Sequence, residues 1–194
     1  MNVARHLPNM ITVLRFVLIV PVVLSLLGEN FRWGLAFFAI AGLSDGLDGF
    51  LARHFGWTSR FGAIADPLAD KILMGVVFIA LTVTGHVPVW LTAAVLLRDV
   101  VIVTGAAFYH WLFGELEFSA RATGKTNTVV QIVFVLLVLV GLAQIPGLEA
   151  LNDMREVGEI VVLTFAVLSG GDYVITWSRL AIQRGSASDA GPDS

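Results

Sequence analysis

The sequence contains no cysteine and few charged residues among its 194 positions. The absence of cysteine excludes disulfide bonds and zinc sites built on thiolates. Charged residues make up 14% of the chain, whereas soluble domains average about 25%. The net charge of -3 is small and argues against a nucleic-acid partner. Because hydrophobic residues make up 57% instead, the composition is that of an integral membrane protein.

Long apolar runs occupy most of the chain. A transmembrane helix needs about 20 mainly apolar residues, and runs of this kind cover residues 9–28, 33–53, 64–84, 88–113, 125–146 and 156–178. Short segments with turn-forming residues separate the runs. The sequence therefore predicts an all-α integral membrane protein, in which residues 1–184 form a single domain of six transmembrane helices. The small and polar residues 185–194 predict a disordered tail.

Lysine and arginine between the runs predict the orientation, because basic residues are enriched in cytoplasmic loops. With six spans, both termini lie on one side of the membrane. That side carries most of the basic residues near the span ends: Arg5, Arg53, Arg60, Arg121, Lys125, Arg179 and Arg184. The sequence therefore predicts cytoplasmic termini in a bacterial inner membrane, or termini in the matrix in a mitochondrial inner membrane.

Four aspartates stand among the apolar residues of SDGLDGFLARHFGWTSRFGAIADPLADK, residues 44–71. Asp45 and Asp48 lie three residues apart near the inner end of the second span, and Asp66 and Asp70 lie four apart at the inner start of the third. Both spacings place the two members of a pair on one helix face. Since a short segment joins these spans, we expect the two helices to be antiparallel neighbours whose acidic ends face each other.

The four carboxylates predict a cation site, because unpaired carboxylates at close range would repel one another or bind protons. Oxygen ligands suit Mg²⁺, Mn²⁺ or Ca²⁺, and four carboxylates can hold two such ions. Gly46, Gly49 and Ala52 leave the adjacent helix surface bare, so that a phosphate-bearing ligand could approach, and Arg53 could contact its phosphates. Helix caps or ion pairs could explain one intramembrane aspartate, but they do not explain four at these spacings.

The pattern of these residues resembles a known family signature. The stretch DGLDGFLAR, with Gly62, Asp66 and Asp70 after it, fits D-x₂-D-G-x₂-A-R-x₈-G-x₃-D-x₃-D, and every fixed position is present. This is the signature of the CDP-alcohol phosphotransferases. The resemblance also covers the number of apolar runs and the segment PNMIT (8–12) before the first run. It implies an enzyme that transfers the phosphoryl-bearing group of a CDP-linked alcohol to a hydroxyl acceptor and releases CMP.

The resemblance also implies roles for particular residues. Two divalent cations, Mg²⁺ or Mn²⁺, would be held by Asp45, Asp48, Asp66 and Asp70, of which Asp70 is also the implied general base. The positions that fall where the family contacts the CDP moiety are Gly49, Ala52, Arg53, Thr58 and Gly62. Asn9 is either the N-cap of the first helix or a group that orients a metal ligand.

Basic residues in the second half of the chain are the candidates for binding the acceptor. Arg98 precedes Asp99 within the fourth span, and the two could form a structural pair, or Arg98 could bind a phosphate of the acceptor. Arg121 and Lys125 could bind that phosphate or anionic lipid headgroups. We expect Arg98, Arg121 and Lys125 to bind the acceptor. Lys71 is expected to extend to the membrane surface instead.

Two segments point to a branch of the family. LLRDVVIVTGAAFYHW and GKTNTVVQIVFVLLV resemble the eukaryotic-type cardiolipin synthases. This resemblance implies CDP-diacylglycerol as the donor and phosphatidylglycerol as the acceptor, with cardiolipin as the product. The phosphatidylglycerophosphate synthases share much of the pattern, so glycerol 3-phosphate is an alternative acceptor. A homodimer is a further expectation from the resemblance.

Two hypotheses from other functional classes compete with the hypothesis of an enzyme. A cation transporter could use the aspartates as an ion pathway, but all four acids are expected at one depth near one surface. A non-catalytic scaffold could also retain the motif, and replacing Asp70 by Asn would then leave the activity unchanged.

Overall fold

The computed structural model describes residues 7–55, 60–113 and 122–189, and side chains within 13–44, 68–105, 123–148 and 151–176. These residues form α-helices and a short 3₁₀ helix, without a strand among them. The α-helices are α1 (Leu7–Leu27), α2 (Phe31–Phe55), α3 (Arg60–Val83), α4 (Val89–Phe113), α5 (Ala122–Leu142) and α6 (Arg155–Asp189). The 3₁₀ helix, Glu149–Met154, directly precedes α6.

The predicted all-helical architecture is confirmed over the described residues, since every predicted span overlaps one α-helix. Within the described part, two helical segments are long and apolar enough to cross a membrane, Thr123–Leu142 and Leu151–Thr176. Two shorter apolar helical segments are Val13–Leu27 and Phe31–Ser44. The number of spans and the side of the termini therefore stay predictions.

The last helix continues beyond its predicted end. α6 has 35 residues and ends at Asp189, so residues 185–189 are helical where the sequence predicts the start of a disordered tail. Residues 179–184 include leucine, alanine, glutamine and arginine, which have high helix propensity. The helix that they favour continues past Gly185. Residues 190–194 lie outside the described residues.

The connection between α3 and α4 is a tight turn at the segment that the sequence predicts as a break. Gly85 has φ 77°, a left-handed conformation that glycine adopts at little cost. The N–H groups of His86 and Val87 donate to the carbonyl oxygen of Leu81 at 2.7 and 3.1 Å. They satisfy the carboxyl end of α3, and Pro88 then directly precedes α4.

The helices pack as two groups that share α5. α1 packs against α2 and α3, whereas α6 packs against α4 and α5, and α5 also contacts α2. The buried apolar core includes side chains from each of the six α-helices: Val22, Leu26, Phe38, Val77, Phe78, Leu81, Leu91, Val95, Phe134, Val135, Leu139 and Val162. This core fixes the helices that carry the candidate site.

The expected contact between the acidic ends of α2 and α3 falls on side chains outside the described residues and stays a prediction, whereas the described parts of both helices have another main neighbour. Over these residues, the main neighbour of both helices is α1, which contributes the fully buried Val22 and Leu26. A short connection holds only the adjoining ends of two helices together. The apolar side of α1 therefore can occupy the space between the more distant parts of α2 and α3.

The packing of α5 on α6 predicts a stability difference between two glycine variants. A Cβ atom on Gly158 would lie 2.8 Å from the Phe134 ring, which stacks on Phe78 with centroids 6.0 Å apart. Gly158→Ala should therefore lower the free energy of unfolding by about 1–3 kcal/mol, as overpacking does. Gly171→Ala is the control, because nothing lies within 4 Å of its added Cβ. Unfolding in mixed micelles measures both, and equal stability of the two variants would contradict this account.

Candidate active site

The aspartates lie on α2 and α3, as the sequence predicts. Asp45 and Asp48 belong to α2, and Asp66 and Asp70 belong to α3. Of these four, Asp70 has a described side chain, and it is partly buried. Several predicted site residues have side chains that lie outside the described ones: Asn9, Asp45, Asp48, Ala52, Arg53, Thr58, Asp66 and Arg121. Among described residues there is no group of three or more potential metal ligands, so the quartet stays a prediction.

An apolar cavity of about 340 Å³ lies beside Asp70. It is formed between α2, α3 and α5, and we call it the α2–α3–α5 cleft. Its lining residues are Phe38, Ala39, Gly42, Leu43, Asp70, Leu73, Met74, Ile132 and Leu136. Asp70 is the charged member of this lining, so the cleft joins a carboxylate to an apolar space.

A second, basic pocket begins at the next residue of α3. This pocket has a volume of about 180 Å³ between α3, α4, α5 and α6. It is lined by Lys71, Arg98, Ile102, Gly124, Lys125, Thr128 and Tyr173. Three of these side chains are cations, and we call the cavity the basic pocket. Because Asp70 and Lys71 are neighbours in sequence, the cleft and the basic pocket lie on different sides of the same turn of α3.

Two of the three cations of the basic pocket, Lys71 and Arg98, are held by one carboxylate. Asp99 Oδ1 lies 2.6 Å from Arg98 Nη1 and 2.7 Å from Lys71 Nζ. Arg98 Nη2 donates a further hydrogen bond of 2.6 Å to Ser169 Oγ on α6. The Arg98 side chain is only 6% exposed, whereas Lys71 is 36% exposed. The guanidinium therefore depends on Asp99 and Ser169 for its partners, and the interactions tie α3, α4 and α6 together.

Gly124 allows α6 to approach α5 at the basic pocket. A Cβ atom at this position would lie 3.0 Å from Tyr173 Oη and 3.6 Å from Arg98 Nη2. One residue earlier on each helix, Thr123 Oγ1 donates to Asp172 Oδ2 at 3.0 Å. The absence of a side chain at 124 therefore lets the Tyr173 hydroxyl sit against α5 beside the Arg98 guanidinium.

Two buried amides follow the basic pocket along α5. Asn127 is completely buried and Gln131 is 3% exposed. Within the described part of the chain, neither amide atom of Asn127 has a hydrogen-bond partner, nor does Nε2 of Gln131. An unsatisfied buried polar group costs about 1–3 kcal/mol. These residues therefore form a polar strip inside an otherwise apolar bundle, and they are not among the site residues predicted from the sequence.

The structure brings together some of the residues predicted to bind the acceptor. Arg98 and Lys125 line the same pocket, whereas Arg121 lies outside the described residues. The expectation that Lys71 extends to the membrane surface is wrong, because its ammonium group is bound to Asp99. An acid in the fourth span requires a cationic partner, so Asp99 was the signal that could have pointed to Lys71. Tyr173 and Ser169 carry no comparable signal in the sequence.

Comparisons with known proteins agree with the signature. The sequence pattern described as "CDP-alcohol phosphatidyltransferase" matches residues 5–168. Human cardiolipin synthase (CMP-forming) is 32% identical over 145 residues, 66% of this chain and 48% of the human protein. A probable phosphatidylglycerophosphate synthase of Mycobacterium tuberculosis is 33% identical over 183 residues, 87% of this chain and 80% of that protein. The chain thus spans about half of the human relative.

The geometry of this carboxylate predicts that removing Asp99 destabilises the protein more than removing its exposed partner, Lys71. Asp99→Ala should lower the free energy of unfolding by about 3–5 kcal/mol, because it leaves the buried Arg98 guanidinium without its anion. Lys71→Ala should cost at most about 1 kcal/mol, because this side chain is partly exposed. Unfolding in mixed micelles compares the variants. A larger loss for Lys71→Ala than for Asp99→Ala would contradict the dependence of Arg98 on Asp99.

Proposed function

The chain belongs to the CDP-alcohol phosphatidyltransferase family, and from this premise we propose that it transfers a phosphatidyl group from CDP-diacylglycerol to a phosphate-bearing glycerol acceptor. The observation that carries the proposal is the placement of Asp70 and Lys71. Asp70 faces an apolar cleft suited to a lipid, and Lys71 faces a basic pocket suited to an anion. A lipid donor and an anionic acceptor can therefore meet at one turn of α3.

The proposed reaction is a displacement at phosphorus. The acceptor hydroxyl oxygen forms a bond to the phosphorus of the phosphatidyl group, the bond from that phosphorus to the CMP oxygen breaks, and CMP leaves. The hydroxyl proton passes to the carboxylate of Asp70. A carboxylate is a weak base, so its contribution depends mainly on its position beside the attacking oxygen. In this proposal the donor in the cleft and the acceptor in the basic pocket approach Asp70 from different sides.

We assign the cation site of the enzyme to Asp45, Asp48, Asp66 and Asp70. These residues supply only oxygen donors, which fits Mg²⁺ or Mn²⁺. Asp70 also lines the apolar cleft, so a cation held there would lie beside the space proposed for the lipid donor. Two bound divalent cations would neutralise the diphosphate and the charge that develops as CMP leaves.

The family pattern also suggests which residues contact the CDP moiety and which residue orients a metal ligand. We propose that Gly49, Ala52, Arg53, Thr58 and Gly62 contact the CDP moiety. Asn9 would orient a metal ligand from the amino-terminal end of α1. α2 and α3 carry most of these positions in their adjoining ends, close in sequence to the aspartates.

The basic pocket is the proposed site of the acceptor phosphate. Arg98 is held in place by Asp99 and Ser169, and Lys71 and Lys125 line the same cavity. Three cations line the cavity, and two carboxylates, Asp99 and Asp172, lie next to it, so the described groups leave a net positive charge for a bound anion. Arg121, next to the start of α5, would add a further positive charge. This arrangement favours an acceptor with a phosphate over an uncharged alcohol.

Phosphatidylglycerol and glycerol 3-phosphate both satisfy this requirement. Phosphatidylglycerol is our first candidate, because the segments around Arg98 and Lys125 resemble cardiolipin synthases and the human cardiolipin synthase is among the relatives. Glycerol 3-phosphate is the second candidate. It is favoured by the similarity to the mycobacterial phosphatidylglycerophosphate synthase, which covers more of both chains.

The membrane setting completes the proposal. We propose that α1 to α6 all cross a bacterial or mitochondrial inner membrane, with both termini and the active site on the cytoplasmic or matrix side. The diphosphate of the donor would then lie at headgroup level, with its acyl chains in the bilayer. A homodimer is compatible with this arrangement and is our expectation for the assembled enzyme.

Replacing the proposed base tests whether the chain is an enzyme of this kind. Asp70→Asn should lower kcat by about 10²–10⁴-fold, the usual contribution of a general base. EDTA should abolish CMP release by the wild-type protein, and added Mg²⁺ or Mn²⁺ should restore it. CMP release is measured with purified protein and CDP-diacylglycerol. Full activity of Asp70→Asn would remove Asp70 as the base. No CMP release by the wild-type protein would support a scaffold, and cation flux into vesicles without CMP release would support a transporter.

An acceptor screen tests the basic pocket. Purified protein, CDP-diacylglycerol and Mg²⁺ or Mn²⁺ are combined with phosphatidylglycerol, glycerol 3-phosphate, inositol phosphate or serine, and the lipid products are separated. Product from phosphatidylglycerol supports the first candidate, and product from glycerol 3-phosphate alone selects the second.

A charge variant then tests whether Lys125 contacts the acceptor. Lys125→Gln should raise KM for the acceptor about tenfold, equivalent to about 1.4 kcal/mol, without changing KM for the donor. Arg155→Gln is the matched control, because this cation pairs with Glu159 near the start of α6, away from the basic pocket. An unchanged acceptor KM in Lys125→Gln would remove Lys125 from the site.

A further inference from the structure

Two neighbouring residues of α6, Asp172 and Tyr173, contact the first turn of α5. Thr123 Oγ1 donates a hydrogen bond of 3.0 Å to Asp172 Oδ2. Tyr173 lies against the next residue of α5, because a Cβ atom on Gly124 would lie 3.0 Å from the Tyr173 hydroxyl oxygen and 3.6 Å from Cε2 of its ring. Tyr173 also lines the basic pocket, although neither the sequence pattern nor the proposed reaction gives it a role. The contacts with α5 therefore hold a phenol hydroxyl at this pocket.

We propose that Tyr173 is an acceptor-binding residue whose hydroxyl donates a hydrogen bond to the acceptor phosphate. This inference rests on the proposed function, because it requires an acceptor phosphate in the basic pocket. Phosphate oxygens are strong hydrogen-bond acceptors, and a phenol O–H can donate to them. Phosphatidylglycerol and glycerol 3-phosphate share this chemistry, so both are tested as acceptors.

The Tyr173 hydroxyl and the Arg98 guanidinium border the same bare surface of α5. The position of a Cβ atom on Gly124 lies 3.0 Å from Tyr173 Oη and 3.6 Å from Arg98 Nη2. Tyr173 and Arg98 line the basic pocket together with Gly124. A phosphate at this surface can therefore receive a hydrogen bond from each group, without a side chain of α5 between them.

A tyrosine supplies a property that the cations of the pocket lack. Lys71 and Arg98 share the carboxylate of Asp99, and Lys125 is exposed. A lysine is a point charge on a flexible stem, so it attracts a phosphate without fixing its orientation. The phenol ring has only two side-chain torsion angles and packs against α5, so its hydroxyl holds a defined position. Tyr173 therefore orients the phosphate that the cations attract.

An aromatic anchor at the membrane surface is the competing role for Tyr173, because tyrosine is enriched where membranes meet water. The hydroxyl of such an anchor would affect stability or insertion and would bind no acceptor. The partly buried ring and its contact with Gly124 favour a position inside the bundle. Kinetics with each substrate separate the two roles, since loss of an anchor has no reason to change one KM alone.

Tyr173→Phe tests the proposal, because it removes the hydroxyl and keeps the ring that packs on α5. KM for the acceptor should rise at least about tenfold, as expected for the loss of a hydrogen bond to a charged group, and KM for CDP-diacylglycerol should stay unchanged. The control is Thr164→Val, which removes an α6 hydroxyl that donates to the Ile160 carbonyl at 2.7 Å, away from the pocket. Thr164→Val should leave both KM values unchanged. An unchanged acceptor KM in Tyr173→Phe would overturn the proposal.

A second variant tests the position of the hydroxyl. Gly124→Ala places a methyl group 3.0 Å from Tyr173 Oη, so the hydroxyl must shift and the acceptor KM should rise. In the Tyr173→Phe background the displaced oxygen is absent, and the same substitution should change the acceptor KM by less than about twofold. Equal effects of Gly124→Ala in the two backgrounds would assign its effect to Arg98 and contradict the placement of the hydroxyl.

Equilibrium binding separates this inference from the proposed function. The probes are glycerol 3-phosphate and glycerophosphoglycerol, which is the headgroup of phosphatidylglycerol without acyl chains. Each is titrated by calorimetry into wild-type protein and Tyr173→Phe in nanodiscs, after thermal unfolding has shown that the variant is folded. We expect at least one probe to bind Tyr173→Phe about tenfold more weakly than the wild type, and the probe affected identifies the phosphate that the hydroxyl contacts.

The two ideas fail in different ways. If the wild-type protein releases CMP and Tyr173→Phe has unchanged acceptor KM and probe binding, the inference fails and the proposed function stands. If the wild-type protein releases no CMP with either acceptor, the proposed function fails, whereas weaker probe binding by Tyr173→Phe would still support the hydroxyl contact. Equal binding of both probes to the two proteins would overturn that contact.

Discussion

The interaction on which the candidate site depends is the binding of two cations by one oxygen of Asp99. A guanidinium as buried as that of Arg98 is unfavourable in an apolar bundle unless its donors have partners. Asp99 provides the charge, and Ser169 on α6 provides a second acceptor. Lys71 reaches the same carboxylate from α3. Arg98 and Lys71 therefore keep their places in the basic pocket because they are bonded across three helices.

This network has a consequence for the arrangement of the two substrates. Lys71 is fixed toward α4, and Asp70, the residue before it, faces the cleft between α2 and α5. Successive residues on a helix point about 100° apart, so one backbone segment can present a carboxylate to one space and a cation to another. In the proposed function, the lipid donor and the anionic acceptor occupy these two spaces. The acid that accepts the proton would then lie at their border.

Much of the architecture could be predicted because it depends on local chemistry. Apolar runs of helical length predict helices, and glycine and proline at TGHVP predict the turn that the structure shows at Gly85 and Pro88. Arg98 and Lys125 could be chosen because charges are rare in apolar runs, and they do line one pocket. Lys71 was misjudged because its partner lies 28 residues away, and the contact of Arg98 with Ser169 spans 71 residues. Neither separation leaves a periodic signal in the sequence.

The sequence by itself determined that the chain is helical and apolar, and where the acidic motif stands on α2 and α3. Those features follow from side-chain hydropathy and from spacing along a single helix. Only the tertiary structure decided that α1 lies against both α2 and α3, that Asp99 binds Lys71 and Arg98, and that open space adjoins Gly42. These features depend on which faces of distant helices meet. Packing against the other helices sets that choice, and spacing within one helix carries no information about it.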